Sequence, residues 1–372
     1  MMLGIQKMTN FWTFPIYTVI ISVTLMVNCF VKYSINTKSV LNTLGYIAEI
    51  LIIQAIVTFP FTNDLYLSAT TVLFTHKTSA LYKLIVLWGI PFACTLFIVI
   101  DVLYKYIKNR ENIKFMEYIK RLEKADIYVI ILAICGIGLI ILPEIIYLKD
   151  IYGEEYKRFN TVFKLTYEAF ILLQISSSYI IVKNIYEAGS KIKYFIISIL
   201  LVLQCLTLGY GIEAIMYTTK NKPISNMADS EMYIKRNNPG DYEAINWIKN
   251  NIDKNDVILE TCGESYNIAG RVSVFTGNPT VLGWHTHEWL WRAEKDYSVP
   301  EEENNRWMNI QYLYTKASVD VIKNYVEEYK INYIYIGYEE IKRYGDKLNI
   351  NNIVNAGEVV YEKNYVYIVK MQ

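Results

Sequence analysis

Two stretches of this sequence gather side chains capable of chemistry. The first, LPEIIYLKDIYGEEYKRFNTVFKLTYEAF from residue 142, sets Glu144, Lys149, Asp150, Arg158, Lys164 and Glu168 at the margins of long apolar runs. Ionisable groups at membrane depth are costly unless paired or wetted, so they face a cavity or another helix. Lys164 and Glu168 are four residues apart and so are expected to pair on one helix face. One reading is a structural ion pair with the long side chains snorkelling outward. The other is a cationic site for the phosphate of a lipid-linked substrate, built from Lys149, Arg158 and Lys164. Asp150 or Glu144 would then orient these cations or act as a general base.

The second stretch, GWHTHEWLWR at 283 to 292, puts two of the three histidines beside Glu288 and three of the seven tryptophans. His285, His287 and Glu288 could supply metal ligands. Trp284, His287, Glu288, Trp291 and Arg292 could instead form a stacking surface with one acid and one forked cation, suited to a sugar or a phosphate. The plainest alternative is a packed loop in which Arg292 pairs with Glu288.

The elements that must position these residues follow from hydropathy. Of the 372 residues 53% are hydrophobic and the mean hydropathy is +0.18, which argues against an ordinary soluble protein. Six stretches reach the roughly 20 apolar residues needed for a bilayer span: 12–31, 42–61, 82–104, 126–148, 161–182 and 194–217. The loops 32–41, 105–125 and 183–193 carry twelve Lys and Arg, and the alternate set, 1–11, 62–81 and 149–160, carries five. Cytoplasmic loops retain the excess, so the N-terminus and everything after the sixth span are expected outside. An outside N-terminus of eleven residues without a cleavable signal pattern leads to the expectation that further spans belong upstream or on a separate chain.

Residues 218–240 read as a linker and 241–372 as an extracytoplasmic α/β domain. Helical spacing covers 241–252 and 318–330. VILET at 257–261 and INYIYIG at 331–337 read as strands, RVSVFTG and PTVLGW as short extended pieces, and EVVYEKNYVYIVK as a hairpin. No glycine-rich phosphate loop, GxSxG or HExxH occurs. The formal net charge of +1 gives no basic field for nucleic acid. Four of the five cysteines lie in apolar runs and only Cys262 in the polar part, so no disulfide framework or CxxC metal site is expected.

Three stretches together resemble the multi-pass YYY membrane proteins of archaea and bacteria, domain of unknown function 2298. NFWTFPIY carries the family's Asn10, Trp12, Pro15 and Tyr17, with Thr13 where an acid is expected. EIIYLKDIYGEEYKRFNTVFKLTYEAF matches at Glu144, Asp150, Arg158, Asn160, Thr161, Phe163, Lys164 and Tyr167, and departs at Thr166, Glu168 and Phe170. GRVSVFTGNPTVLGWHTHEWLWR is similar to the family's third motif, with His285 standing where that motif has Pro. A zinc site needing both histidines would therefore be peculiar to this chain.

The resemblance is to the family's C-terminal part. It implies a fold akin to GT-C glycosyltransferases, which take a sugar from a polyprenyl-phosphate donor at the outer membrane face. It also implies that the presumed catalytic loop lies in an upstream part, so that this chain would be one portion of a split or truncated enzyme completed by an upstream-encoded membrane subunit. The expected partners are the lipid bilayer and that subunit, with no nucleic acid. The expected donor is a polyprenyl-phosphate sugar, and a need for a divalent cation stays open. A non-catalytic scaffold or partner subunit with an outer binding domain is the alternative, and transport is a weaker third reading, with no inverted repeat apparent.

Overall fold

A computed structural model describes residues 1–63, 71–109, 114–149, 156–187, 189–219, 229–292 and 301–371. The residues fall into two compact units, one running to Ala214 and the other from Ile215.

In the first unit the order is α1 (Met2–Thr9), α2 (Thr13–Tyr33), α3 (Thr37–Thr62), β1 (Val72–Phe74), α4 (Leu81–Asn109), α5 (Phe115–Arg121), α6 (Lys124–Ile145), β2 (Ile146–Leu148), α7 (Phe159–Tyr186) and α8 (Lys191–Thr219). Among the described residues six helices, α2, α3, α4, α6, α7 and α8, are long and apolar enough to cross a membrane. All six expected spans are helical over most of their length, because a backbone surrounded by hydrocarbon must satisfy its N–H and C=O groups within the segment.

The best-packed pair is α6 against α7, where Ala133, Gly136, Ala169 and Leu173 meet. Small residues let the two backbones approach, which is the main attraction between helices that lipid would otherwise solvate equally well. A Cβ at Gly136 would lie 2.8 Å from Leu173 Cγ. Polar contacts tie the helices at defined heights. Tyr17 of α2 donates to Glu168 of α7 at 3.0 Å. Lys183 of α7 reaches Asp126 and Glu123 at 2.9 and 2.8 Å, and Lys193 of α8 pairs with Asp101 of α4. The expected Lys164–Glu168 pair does not form. Glu168 is taken up by Tyr17, while Lys164 Nζ lies 5.7 Å from the Phe163 ring centroid.

One end of this bundle carries a two-stranded antiparallel sheet, with Val72, Leu73 and Phe74 opposite Leu148, Tyr147 and Ile146. It ties the α3–α4 connection to the α6–α7 connection.

The second unit continues with α9 (Ser230–Asn237), α10 (Pro239–Asn251), β3 (Ile258–Leu259), α11 (Arg271–Thr276), α12 (His285–Arg292), α13 (Glu301–Thr315), α14 (Val319–Tyr329), β4 (Tyr333–Ile336), α15 (Tyr338–Tyr344), α16 (Ile350–Asn355), β5 (Glu358–Lys363) and β6 (Val366–Lys370). The strand order is β3-β4-β6-β5, with β3 and β4 parallel and the other neighbours antiparallel. All four residues of β4 are buried, which marks a central strand covered on both faces. Alternation sends Tyr333 and Tyr335 to one core with Ala244 and Ile248, and Ile334 and Ile336 to the other with Ile310, Leu313 and Ile322. The unit is thus an α/β/α sandwich. Its hairpin turns through Asn364 and Tyr365, both at positive φ as a two-residue turn between twisted strands requires.

Three expectations are corrected here. RVSVFT is a short helix, α11, set off by Gly270 and Gly277 at φ +85° and +80°, and is not an extended piece. GWHTHEWLWR is not a loop, since residues 285–292 form α12. Within the expected linker 218–240, residues 220–228 lie outside the described residues, but Ser230–Asn237 is helical because Asp229 caps it by accepting from the backbone N–H groups of Glu231 and Met232.

Because Leu173 is buried, it has little room to yield. Gly136→Ala is expected to cost about 1–3 kcal/mol and lower the melting temperature of the purified chain, whereas Ala at Gly138, which meets nothing within 4 Å, leaves it unchanged. Equal melting of the two variants would contradict the close α6–α7 approach.

Candidate functional site

In the membrane unit the charged seam resolves into a clasp. Arg158 enters at the start of α7 and sends one terminal nitrogen to Glu144 Oε2 at 3.0 Å and to the Pro143 carbonyl at 2.9 Å. Its other terminal nitrogen donates to Ser79 Oγ at 2.9 Å. Glu144 in turn accepts from the Ser79 backbone N–H at 2.6 Å and from the Ser79 hydroxyl at 2.8 Å. Both carboxylate oxygens are engaged, so Glu144 holds Arg158 and Ser79 in place. The β1–β2 sheet delivers these parts. Thr75 Oγ1 donates to the Pro143 carbonyl and Thr161 Oγ1 accepts from the Leu148 N–H.

Of the other expected residues, Asp150 lies outside the described residues. Lys149 is exposed, and its backbone N–H donates to the Thr71 carbonyl. Lys164 is half-buried on α7 beside Phe163. Ser79, which holds both members of the clasp, carried no sequence signal, since it comes from a loop sixty-five residues before Glu144.

Below the clasp an apolar groove of about 530 Å³ runs between α4 and α6. Leu84, Ile85, Trp88 and Phe92 line one wall and Ile137 and Ile141 the other. Its lining begins at Leu81, two residues after Ser79, and reaches Ile141, three residues before Glu144. A chain with an apolar tail and an anionic head matches that sequence of surfaces.

In the second unit the GWHTHEWLWR residues divide between two surroundings. His287 Nδ1 lies 2.6 Å from Ser265 Oγ, and its ring packs against Trp284 and Tyr266 with centroids 5.4 and 5.2 Å away. Trp284 Nε1 donates to the Ala269 carbonyl at 2.7 Å. Positions two apart on a helix diverge, and His285 packs on Trp307 at 4.6 Å instead of joining His287. Glu288 accepts from the Gly283 N–H at 3.1 Å and pairs with Arg292 at 3.1 Å, the spacing of a local helical pair. Trp291 belongs to α12, but its side chain lies outside the described residues.

The strongest polar constellation here has no counterpart among the expected site residues. Arg271, fully buried at the start of α11, donates from Nε to Asp241 Oδ2 at 2.7 Å and from a terminal nitrogen to Glu340 Oε2 at 2.7 Å. Its other terminal nitrogen lies 3.7 Å from Glu260 Oε2. Glu260 accepts the Val272 and Ser273 N–H groups at 2.9 and 2.8 Å, and Tyr335 donates to Asp241 at 2.8 Å. Gly337 makes this possible, since a Cβ there would overlap Asp241 Oδ1 and sit 3.0 Å from Arg271. The available signal was an acid inside the apolar run VILETC, which a buried strand tolerates only if a partner is supplied.

Three carboxylates around one guanidinium leave an excess of negative charge out of water. Burial therefore pushes the Glu260 carboxyl up to about 7, against the pull of Arg271 and the Ser273 and Val272 N–H groups, with Glu340 adding to the rise. The folded state then keeps a proton that the unfolded chain releases nearer pH 4.5. Stability from this group is full below that value and is lost as pH rises through about 7. Between pH 5 and 8 the unfolding free energy of the wild type is expected to fall relative to that of Glu260→Gln, by on the order of 1–3 kcal/mol, read as a falling melting temperature of the wild type against the variant. A wild-type-to-variant gap that stays constant over that range would show that Glu260 does not titrate there.

Comparison with known proteins bears on the membrane unit. The model of a family described as uncharacterized membrane protein (DUF2298) matches residues 1–120 and 109–173. Those residues contain NFWTFPIY, the clasp residues Ser79, Glu144 and Arg158, and the groove walls, and stop short of the 271–292 motif. No curated protein matches the chain. Spans α2 to α6 and the first half of α7 lie inside the match, so the membrane unit up to residue 173 is similar to the DUF2298 family of uncharacterized membrane proteins.

Proposed function

We propose that this chain is a component of a glycosyltransferase that takes its sugar from a polyprenyl-phosphate donor at the outer membrane face. The carrying observation is the apolar groove that leads to the Ser79–Glu144–Arg158 clasp. The groove accepts part of the prenyl chain within the bilayer. Three of the five N–H groups of Arg158 are used by Pro143, Glu144 and Ser79, and the other two make no bond to a described residue. A phosphate oxygen can take them, with Lys149 and Lys164 adding positive charge from either side of Arg158 in sequence. Glu144, with both oxygens engaged, serves as the positioning residue. The general base is then assigned to Asp150 or to a carboxylate of an upstream-encoded subunit.

The Lys and Arg asymmetry of twelve against five supports placing the clasp end and the second unit outside. On the second unit, Trp284, His287, Glu288, Trp291 and Arg292 are proposed to contact the acceptor. One observation favours the non-catalytic reading: Glu144 already balances the charge of Arg158, which is all that a structural clasp would need.

The experiment is sugar transfer from polyprenyl-phosphate donors by the purified chain, alone and with the product of the upstream reading frame. Arg158→Lys keeps the charge opposite Glu144 but removes the fork, and is expected to reduce transfer by about 100-fold while the protein still folds. Absence of transfer in both settings, or full activity in Arg158→Lys, would leave the scaffold reading in place.

A further inference from the structure

The second unit carries a trough that none of the residues discussed above explains. Two adjoining hollows of about 920 and 680 Å³ share Asn237, Asn238, Tyr338 and Lys342 as lining residues. The larger falls within the roughly 300–1,000 Å³ common for small-molecule sites. Three tyrosines line it, Tyr233, Tyr266 and Tyr338, exposed by 61%, 84% and 49%. None of their hydroxyls bonds to a described residue. Tyr266 is held at φ +63°, a left-handed backbone that a bulky residue adopts only where its surroundings enforce it, and its ring rests on Trp284 and His287.

The second observation is Asn238. It forms the junction of α9 and α10, donating its backbone N–H to the Ile234 carbonyl at 2.7 Å and accepting from the Tyr242 N–H at 3.1 Å. Its residue exposure is 9%, yet its carboxamide makes no hydrogen bond to a described residue. The residue is otherwise enclosed, while the carboxamide stays accessible on the cavity wall, where a ligand can take its donors and its acceptor. Asn267, also on the wall, uses only its carbonyl oxygen within the chain, accepting from the Ala269 N–H at 2.9 Å.

We infer that this trough binds a short, uncharged oligosaccharide. The C–H faces of pyranose rings lie on tyrosine faces, and ring hydroxyls both donate to and accept from carboxamides, which offer both functions on one plane. A polyanion fits less well. Lys342 is already paired with Glu339 at 3.5 Å, leaving Arg343 as the one lining cation with no acidic partner among the described residues. Nucleobase stacking would use the same rings but would need a row of cations along the backbone, where this wall offers only Lys342, paired with Glu339, and Arg343. The inference goes beyond the lipid-phosphate reading of the membrane unit, and a free oligosaccharide tests it without any lipid.

The test is calorimetric titration of the full chain, in nanodiscs free of sugar detergents, with cellotetraose, chitotetraose, maltotetraose and mannotetraose in turn. At least one is expected to bind saturably. Asn238→Ala and Tyr338→Ala are each expected to weaken that sugar by about tenfold, the loss of one good hydrogen bond or stacking contact. Asn238→Asp keeps the shape and one acceptor but removes the NH2 donors, and is expected to weaken binding with the melting temperature unchanged. Failure of all four sugars to bind, or unaltered affinity in all three variants, would overturn the proposal. Tighter binding of linear polyphosphate than of any sugar would overturn it as well.

Discussion

A charge removed from water must be met by an opposite charge and by donors or acceptors for its remaining valences, and both units of this protein are organised around a place where that demand is fulfilled. In the membrane unit it is Arg158, answered by Glu144, Ser79 and the Pro143 carbonyl in the last turn of α6. In the second it is Arg271, answered by Asp241 and Glu340, with Glu260 close by. Breaking such a pair by removing one partner typically costs about 3–5 kcal/mol because the other charge stays behind unmatched. The surrounding backbone is therefore fixed: α6, α7 and the residues after β1 must converge at the clasp, and α10, α11 and α15 must converge on Arg271.

The two clusters differ in what they leave available. The Arg271 cluster is closed: the guanidinium and its carboxylates are all but inaccessible and their oxygens accept from backbone N–H groups of neighbouring elements. It can organise a fold but can meet no ligand. The Arg158 clasp remains partly accessible, with side-chain exposures of 21% for Arg158 and 15% for Glu144, and stands above an apolar groove. The same chemistry thus serves architecture in one unit and is open to recognition in the other.

The hydropathy of the sequence sufficed to locate all six membrane helices, and the alternation in INYIYIG sufficed to mark a buried strand, because both signals are local. Pairings over long separations were not legible. Glu144 and Arg158 were both singled out, but nothing in their spacing of fourteen indicated mutual contact, and Ser79 gave no signal. Conversely, the local pairing of Lys164 with Glu168 failed because Tyr17, 151 residues from Glu168, was a better partner. Local spacing did anticipate Glu288 with Arg292, where no distant group competes for the glutamate side chain except the nearby Gly283 N–H. The Arg271 cluster draws on 241, 260, 271 and 340, so only its symptom, an acid within an apolar run, was visible.

The small β1–β2 sheet has a consequence for how the chain is made. Its strands are separated by the whole of α4, α5 and α6, so the edge of β1 stays unpaired until the two intervening spans, α4 and α6, have left the ribosome and entered the bilayer. Closure of the sheet, and with it delivery of Ser79 to Glu144, becomes available only once Ile146–Leu148 has crossed to the same end as Val72–Phe74. The clasp is thereby a checkpoint of topology: a chain with either intervening span misinserted leaves the two strands on opposite sides of the membrane and cannot assemble it.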